Sequence, residues 1–427
     1  MEPRSERNSR KNNNIRSSAS LRVISKGILF YGLITLTSAV IGIGLYVVVD
    51  QSSKWTQKFS YLSDMIEKLQ DEAKPLPTAD PTSIDKPEAP VKFTPKVDHQ
   101  PQADEDSVIL ESGTFAPVTL SFVGDILLGS NVERILTANG YDYPYTDVLD
   151  YLQQADIAVG NLETPITTHE QASTALYQYK SSPLALPALA EAGIKLVNLA
   201  NNHVMDYGIQ GLTDTLTALD QSGILHVGAG KDAQDAFQKV VIDMQGLRVA
   251  FLGFTHVVND QFAKAGLNKP GVADTYNYVI PVQKIEDAKK EADLVIVLVH
   301  WGKEREDKPI AKQIELAHRF VDAGADLIVG SHPHVVQSFE QYKGKWIAYS
   351  LGNFIFTTNE FPLTWESVIL QASCLKEGCD LQLVPILTKS AKPQVMTPFL
   401  SKRFFERLDR ISSEAQIDEE GRITAEP

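Results

Sequence analysis

Short apolar runs alternate with amphipathic stretches from about residue 118 onward. Runs of strand length lie at residues 118–123, 157–159, 195–199, 224–227, 247–254, 294–299 and 327–329. Helical patterns separate several of them, at residues 211–221, 282–291 and 310–323. Strands that alternate with helices predict an α/β domain with many parallel strands. Three later runs, 345–350, 367–373 and 380–386, have a hairpin-like pattern, so we expect one layered domain of about 300 residues with a mixed sheet or two sheets.

The first 49 residues have a different pattern. Residues 1–26 contain seven basic and two acidic residues, and the next 23 residues, 27–49, carry no charge. A helix of that length would reach roughly 34 Å, enough to cross the hydrocarbon core of a membrane. A cleaved signal peptide would have a shorter apolar stretch, and a buried core helix would not need the basic flank, so we predict an uncleaved transmembrane anchor. The flank predicts a single-pass cell-membrane protein with a cytoplasmic N-terminus and an extracellular C-terminal domain.

Residues 50–106 are predicted to form a stalk and a linker. A mixed, helix-compatible stretch comes first, and seven prolines then interrupt a polar segment between residues 75 and 101. This composition is typical of a semi-extended spacer. We therefore expect a folded domain at residues 107–400 and a C-terminal tail at residues 401–427.

The composition excludes some functional classes. Hydrophobic residues make up 43% of the chain and charged residues 22%, as in an ordinary globular protein. The net charge of −14 argues against a general nucleic-acid binder, because duplex affinity depends on clustered Lys and Arg. Two cysteines are too few for a thiolate-rich zinc site or a disulfide scaffold. Cys374 and Cys379 flank a short turn between two strand-like runs, where they either form a small-loop disulfide or remain two thiols.

Polar residues with metal-ligand chemistry follow five of the predicted strands. In chain order they are Asp125, Glu163, then Asn202, His203 and Asp206, then His300, and finally His332 and His334. Ligands of parallel α/β sheets bind at the carboxyl ends of the strands. These residues can therefore converge although they span 210 positions of sequence.

Each of these residues also has an ordinary structural explanation when it is taken alone. Asp125 could cap a helix, Asn202 could form a turn, and Glu163 could be a surface carboxylate. His300 could be a core histidine, and His332 and His334 could be surface residues of a loop. Five such coincidences at five strand ends are harder to accept than one, so we predict a shared metal site. Asp, Glu, Asn and His ligands without Cys suit a catalytic or labile site for one or two Mn, Zn or Fe ions.

Other motifs have structural interpretations. Gly228 and Gly230 match the glycine spacing of a dinucleotide-binding loop. However, Asp243 begins a tight turn into the next strand, which indicates an antiparallel hairpin rather than a nucleotide-binding unit. His226 lies within a strand pattern and His318 within a helix pattern, where a packing role is the simpler hypothesis.

Six blocks of sequence together are distinctive. They read GDILLG at 124–129, GNLETP at 160–165, ANNHVMDYG at 200–208, HWGKE at 300–304, GSHPHVVQ at 330–337 and YSLGNF at 349–354. These blocks resemble the CapA/PgsA family of poly-γ-glutamate capsule-synthesis proteins, membrane-anchored relatives of the calcineurin-like metallophosphatases. The resemblance covers residues 118–398, and it implies a two-sheet α/β/β/α sandwich.

The metallophosphatase pattern also implies a role for each candidate residue. Two overlapping sets of divalent-metal ligands are implied, namely Asp125, Glu163 and His334 for one ion and Glu163, Asn202, His300 and His332 for the other. Glu163 would bridge the two ions. His203, supported by Asp206, would be an acid near the leaving group.

The chain departs from the family pattern at three positions. Leu127 occupies a position where the wider superfamily has a histidine, and leucine cannot bind a metal ion. The longer Glu163 replaces the usual bridging aspartate, and Arg305 follows Glu304 where the family would have an aromatic residue. The first metal site therefore lacks a neutral ligand, and we expect it to bind its ion more weakly.

Two functions are compatible with these residues. The first is a membrane-anchored protein of poly-γ-glutamate synthesis or export, which would work with membrane-embedded synthase or export subunits on an anionic polymer. The alternative is an exported metal-dependent phosphoesterase that acts on a cell-envelope substrate. Because an acidic domain repels a polyanion at low salt, we expect polyglutamate binding to require divalent metal.

Overall fold

The computed structural model describes residues 116–173 and 177–426. The predicted basic N-terminus, transmembrane anchor, stalk and linker lie outside the described residues. Among the helices of the described residues, none has the length and apolar character that a membrane crossing requires.

The described residues form eighteen strands, eight α-helices and three short 3₁₀ helices. The strands are β1 (Val118–Ile126), β2 (Ile157–Leu162), β3 (Ile194–Asn198), β4 (Leu225–Val227), β5 (Ala229–Gly230), β6 (Val240–Met244), β7 (Leu247–Thr255), β8 (Gly271–Val272), β9 (Leu294–His300), β10 (Leu327–Ser331), β11 (Phe339–Tyr342), β12 (Lys345–Ala348), β13 (Asn353–Ile355), β14 (Glu366–Leu375), β15 (Gly378–Lys389), β16 (Lys392–Val395), β17 (Ala415–Ile417) and β18 (Arg422–Ala425). The α-helices are α1 (Asn131–Asn139), α2 (Leu149–Gln153), α3 (Leu186–Glu191), α4 (Gly208–Ser222), α5 (Ala233–Ala236), α6 (Val279–Glu291), α7 (Ala311–Asp322) and α8 (Pro398–Ile411). The 3₁₀ helices are Pro183–Ala185, Gln261–Ala263 and Pro362–Trp365.

The larger sheet has ten strands in the order β17-β18-β15-β14-β1-β2-β3-β4, with β13 also paired to β1 and β16 to β15. Strands β1 to β4 are parallel to one another, and β13 is parallel to β1. The hairpin β14–β15 adds antiparallel strands on the other side of β1. Asp125 lies opposite Asn161 on β2 and opposite Asn353 on β13, so three polar side chains meet at the carboxyl end of β1.

The second sheet has six strands in the order β11-β12-β10-β9-β7-β6. Strands β7, β9, β10 and β12 are parallel, which places the last residues of β9 and β10, His300 and Ser331, side by side. Strands β6 and β7 form an antiparallel hairpin in which Asp243 lies opposite Arg248. The glycine pattern at 228–230 therefore does not lead into a nucleotide-binding unit, as predicted.

The two sheets pack face to face and helices cover their outer faces. Phe122 and Val159 of the larger sheet share one apolar cluster with Phe251 and Ile296 of the second sheet. The outer face of the larger sheet packs against residues of α1 to α4, and the outer face of the second sheet packs against residues of α6 and α7. The layers thus run α/β/β/α, and the α/β class predicted from the sequence is confirmed.

The boundary predicted at residue 400 is corrected by the structure. Helix α8 begins at Pro398, and β18 pairs with β15, so the chain up to residue 425 is part of the domain rather than a tail. The physical reason is that α8 is amphipathic and buries Phe404, Phe405 and Leu408 in the core between the sheets. In the hairpin β14–β15, Cys374 and Cys379 lie opposite each other and form a disulfide.

Candidate metal centre

The carboxyl ends of strands from both sheets bring the candidate ligands together. Asp125 lies at the end of β1, Glu163 directly follows β2, and His300 is the last residue of β9. His332 and His334 lie in the loop that follows β10. The packing of one sheet on the other therefore produces a single cluster from residues that are remote in sequence.

Close backbone contacts hold this edge in place. A Cβ atom at position 124 would lie 1.8 Å from the carbonyl oxygen of Gly352, so only glycine fits there. The neighbouring Asp125 N–H donates to the same carbonyl oxygen at 2.9 Å. In the loop after β10, His332 and His334 have φ angles of 96° and 58°, in the left-handed region that non-glycine residues rarely adopt. Strain of this kind is concentrated at functional sites.

The first set of ligands contains Asp125, Glu163 and His334. Their potential ligand atoms all lie within 4.8 Å of one another. Asp125 Oδ2 lies 3.2 Å from His334 Nδ1, and Asp125 Oδ1 accepts a hydrogen bond of 2.8 Å from Asn161 Nδ2. The carboxylates of Asp125 and Glu163 are fully buried.

The second set contains Glu163, His300 and His332, again with ligand atoms within 4.8 Å of one another. His300 Nε2 lies 3.5 Å from Glu163 Oε1 and 2.8 Å from Asn202 Oδ1. The rings of His300 and His332 are 4.7 Å apart. Glu163 belongs to both sets, so the two sets share one carboxylate, and Asn202 lies beside the second set.

The electrostatics of the cluster reflect two buried carboxylates close to three imidazoles. Burial raises the pKa of Glu163 well above its usual value, and the nearby Asp125 charge adds to this. Burial lowers the pKa of His300 well below its usual value and that of His332 to about 3. Burial alone would also lower the pKa of His334, but the charges of Glu163 and Asp125 outweigh it and raise the pKa to about 9.

The cluster fits a divalent cation by a further observation. Both carboxylate oxygens of Glu163 and Nδ1 of His332 are buried, and within the described chain they have no hydrogen-bond partner. Buried polar atoms in proteins are almost always partnered, and an unpaired buried carboxylate is energetically costly. A cation held between oxygen and imidazole ligands would satisfy these atoms. The donor set, without sulfur, is one that Mn, Zn and Fe ions accept.

His203 and Asp206 lie beside this cluster and contact each other. His203 Nδ1 is 2.8 Å from Asp206 Oδ2, and the same oxygen accepts a 2.9 Å hydrogen bond from the backbone N–H of Tyr179. Burial raises the pKa of Asp206, while its contact with His203 opposes that shift. The Tyr179 ring lies 4.7 Å from the His203 ring. The Asp206 carboxylate thus fixes the orientation of the His203 imidazole through Nδ1.

The structure also adds residues that sequence reasoning did not select as site residues. Asn161 Nδ2 contacts both Asp125 and His300 Nδ1, and Asn353 Oδ1 lies 3.0 Å from His334 Nδ1. Both asparagines lie within the sequence blocks described above, which was the available signal, but their contacts depend on strand pairing. Leu127 is fully buried in the core, in agreement with its exclusion as a ligand.

Residues 119–358 match the sequence profile of the family described as bacterial capsule synthesis protein PGA_cap. The chain belongs to this family. It is 37% identical to the capsule biosynthesis protein CapA of Bacillus anthracis over 315 residues, which cover 70% of this chain and 75% of that protein. It is 35% identical to the PGA biosynthesis protein CapA of Bacillus subtilis (strain 168) over 314 residues, which cover 72% of this chain and 82% of that protein.

The family match includes every candidate ligand, because Asp125 to His334 lie within residues 119–358. Among solved structures, the chain has a weak likeness to 5'-nucleotidase from Candida albicans. The TM-score is 0.37 and the identity 12%, over 64% of this chain and 52% of that one. A likeness of this size does not bear on function.

Proposed function

We propose that this PGA_cap family member acts in the synthesis or export of poly-γ-glutamate capsule polymer, and that the metal centre is its functional site. The observation that carries the proposal is the family match, which spans the whole cluster of buried carboxylates and histidines. Two relatives named for capsule or PGA biosynthesis, 37% and 35% identical to this chain, support the same process.

The proposed ligands are the six residues predicted from the sequence. They are Asp125, Glu163, Asn202, His300, His332 and His334, and they would hold one or two Mn, Zn or Fe ions. A bound ion would supply positive charge that polarises an oxygen of the substrate. The chain itself supplies a buried site and a shared carboxylate. Asn161 donates a hydrogen bond to Asp125, and Asn353 Oδ1 accepts one from His334 Nδ1, so the two asparagines orient these ligands.

The proposed location is the outer face of the cell membrane, with residues 27–49 as the anchor. Support comes from the 23 uncharged residues and their basic flank. Membrane-embedded synthase or export subunits would then be the partners, and an anionic polymer would meet the cleft from the extracellular side.

Polymer output tests the proposal directly. The chain would be expressed in a Bacillus subtilis strain that lacks its own relative, beside His332→Ala and a His318→Ala control. His318 packs on Tyr342, with ring centroids 3.8 Å apart, and is not a member of the cluster. We expect the parent and the control to restore poly-γ-glutamate, and His332→Ala to fail while accumulating at the normal level. Equal output from all three chains would refute a functional role for the centre.

A second candidate function is supported by the contact between His203 and Asp206. An imidazole oriented by a buried carboxylate can donate a proton to a leaving oxygen, as a phosphoesterase requires. Turnover of bis-p-nitrophenyl phosphate by the purified protein with added Mn or Zn would test this activity. We expect His203→Ala to keep its metal and lose turnover by roughly 100-fold or more. No turnover in the parent would leave the polymer-synthesis function as the only candidate.

A further inference from the structure

The loop that follows β9 carries Arg305 to the edge of the metal centre. The backbone N–H of Arg305 donates to the carbonyl oxygen of Pro333 at 2.8 Å, and Pro333 lies between the candidate ligands His332 and His334. Arg305 has a φ angle of 64°, in the left-handed region that an arginine rarely adopts. The backbone of Arg305 is thus tied to the loop that carries two of the histidines.

The side chain of Arg305 is also held in place. Its guanidinium carbon lies 3.8 Å from the centroid of the Phe361 ring. This ring belongs to the segment that follows Phe356, whose own ring lies 4.7 Å from that of His334. An arginine stacked on an aromatic face keeps its five N–H donors at the edge of the guanidinium plane, where they can form two parallel hydrogen bonds to one carboxylate.

These donors have no protein partner in the part of the chain that the structure describes. Within residues 116–173 and 177–426, no carboxylate lies within ion-pair distance of Arg305, and its guanidinium makes no hydrogen bond. Its neighbour Lys303, by contrast, contacts Glu306 at 2.9 Å. Arg305 is therefore an exposed cation that is stacked on Phe361 and has N–H donors available to a ligand.

The charges around Arg305 indicate which kind of ligand this cation would bind. Glu304 directly precedes Arg305 in the same exposed loop, and it adds negative charge beside a centre that already has two buried carboxylates, Asp125 and Glu163. A cleft of that sign repels a polyanion. A cation beside the centre, in addition to a bound metal ion, therefore favours the approach of a polymer that carries one free carboxylate on every unit.

We propose that Arg305 binds a free carboxylate of a γ-linked glutamyl unit and thereby positions the polymer at the metal centre. Arg305 is then a specificity-determining residue, and Phe361 and Pro333 hold it in position. This inference rests on the proposed function, because it names the polymer as the occupant of the same cleft.

Binding of a fluorescein-labelled, γ-linked glutamate oligomer to the full-length protein tests the inference by fluorescence anisotropy in the presence of Mn²⁺. Arg305→Gln is expected to weaken binding by roughly tenfold or more, since it removes a charge-assisted pair of hydrogen bonds. Arg305→Lys keeps the charge but loses the two-pronged geometry, so its affinity should fall between those of the parent and Arg305→Gln. Arg319→Gln is the matched control, because the Arg319 guanidinium lies 4.3 Å from the Tyr278 ring centroid but already pairs with Glu315.

A γ-linked isoglutamine oligomer, in which each free α-carboxylate is replaced by an α-carboxamide, is the second probe, since it has the same backbone without the charge. We expect it to bind weakly and equally to the parent and to Arg305→Gln. Unchanged binding of the glutamate oligomer to Arg305→Gln would overturn the role of Arg305 while the proposed function stands. A parent that binds no glutamate oligomer, although it holds its metal, would overturn polymer recognition at this cleft together with the role of Arg305.

Discussion

Replacement of Glu163 by glutamine should change the stability of the protein in opposite directions with and without metal. Both carboxylate oxygens of Glu163 are fully buried, and they have no hydrogen-bond partner among the described residues. An unsatisfied buried polar group lowers stability by about 1–3 kcal/mol. Glutamine cannot ionise, so metal-free Glu163→Gln avoids the added cost of a buried charge. The variant should be more stable than the parent by about 1–3 kcal/mol at a pH where the parent carboxyl is ionised.

The pH dependence of this gain follows from the raised pKa of Glu163. A carboxyl group with a raised folded-state pKa favours the fold below its unfolded pKa of about 4.3, and that contribution is lost as the pH rises through the folded pKa. The advantage of Glu163→Gln should therefore be absent at about pH 4 and increase as the pH rises through the folded-state pKa of Glu163. With metal the order reverses, because the parent gains about 2.7 kcal/mol at a metal concentration of 100 Kd and the variant, which lacks the shared ligand, gains little.

Thermal unfolding of the full-length protein with and without Mn²⁺ or Zn²⁺ measures both effects. Glu366→Gln is the matched control, because Glu366 is also buried but lies 2.8 Å from Nη2 of Arg407. It should destabilise the protein by about 3 kcal/mol and keep the full metal-dependent shift. The reasoning is refuted if metal-free Glu163→Gln unfolds at a lower temperature than the parent, or if metal shifts its Tm as much as the parent's.

Three further outcomes are expected. The pKa of about 9 at His334 means that a metal ion must displace a proton below that pH, so calorimetry should show metal affinity rising with pH up to about 9, and His334→Ala should flatten the profile. Gly124→Ala, whose Cβ would lie 1.8 Å from a carbonyl oxygen, should cost about 3 kcal/mol or prevent folding, whereas Gly378→Ala, with no atom within 4 Å, should be close to neutral in denaturant unfolding. Loss of the disulfide in Cys374→Ser/Cys379→Ser should lower the free energy of unfolding by about 2 kcal/mol, and an unchanged denaturation midpoint would contradict this.

Most of the parallel sheet framework could be predicted from the sequence because its strands are buried on both faces. Such strands appear as continuous apolar runs, and β9 (Leu294–His300) and β10 (Leu327–Ser331) were located within two residues at each end. The end of the domain was not found. Strands β17 and β18 are three and four residues long and have no distinctive pattern. Only the pairing of β18 with β15, and of β17 with β18, makes them part of the sheet.

The residue types of the candidate centre could also be predicted, whereas its contacts could not. Asp125, Glu163 and the histidines stand at the ends of apolar runs, and the sheet-edge rule brings such residues together. No sequence pattern indicates that Asn353, which is 228 positions after Asp125, lies opposite it through the pairing of β13 with β1. Likewise, the Arg305 guanidinium stacks on the Phe361 ring only because the fold places the loop after β9 next to the segment after β13.

The sequence by itself determined the α/β class, the order of strands, helices and hairpins along the chain, and the chemical nature of the candidate ligands. These features depend on local periodicity and residue type. The tertiary structure decided which carboxylate is shared by both sets of ligands and which oxygens remain without partners. It also decided that His334 has a raised pKa whereas His332 has a lowered one. These properties depend on distances of a few ångströms between residues from different strands and on the removal of water from between them, and neither quantity exists until the two sheets are packed.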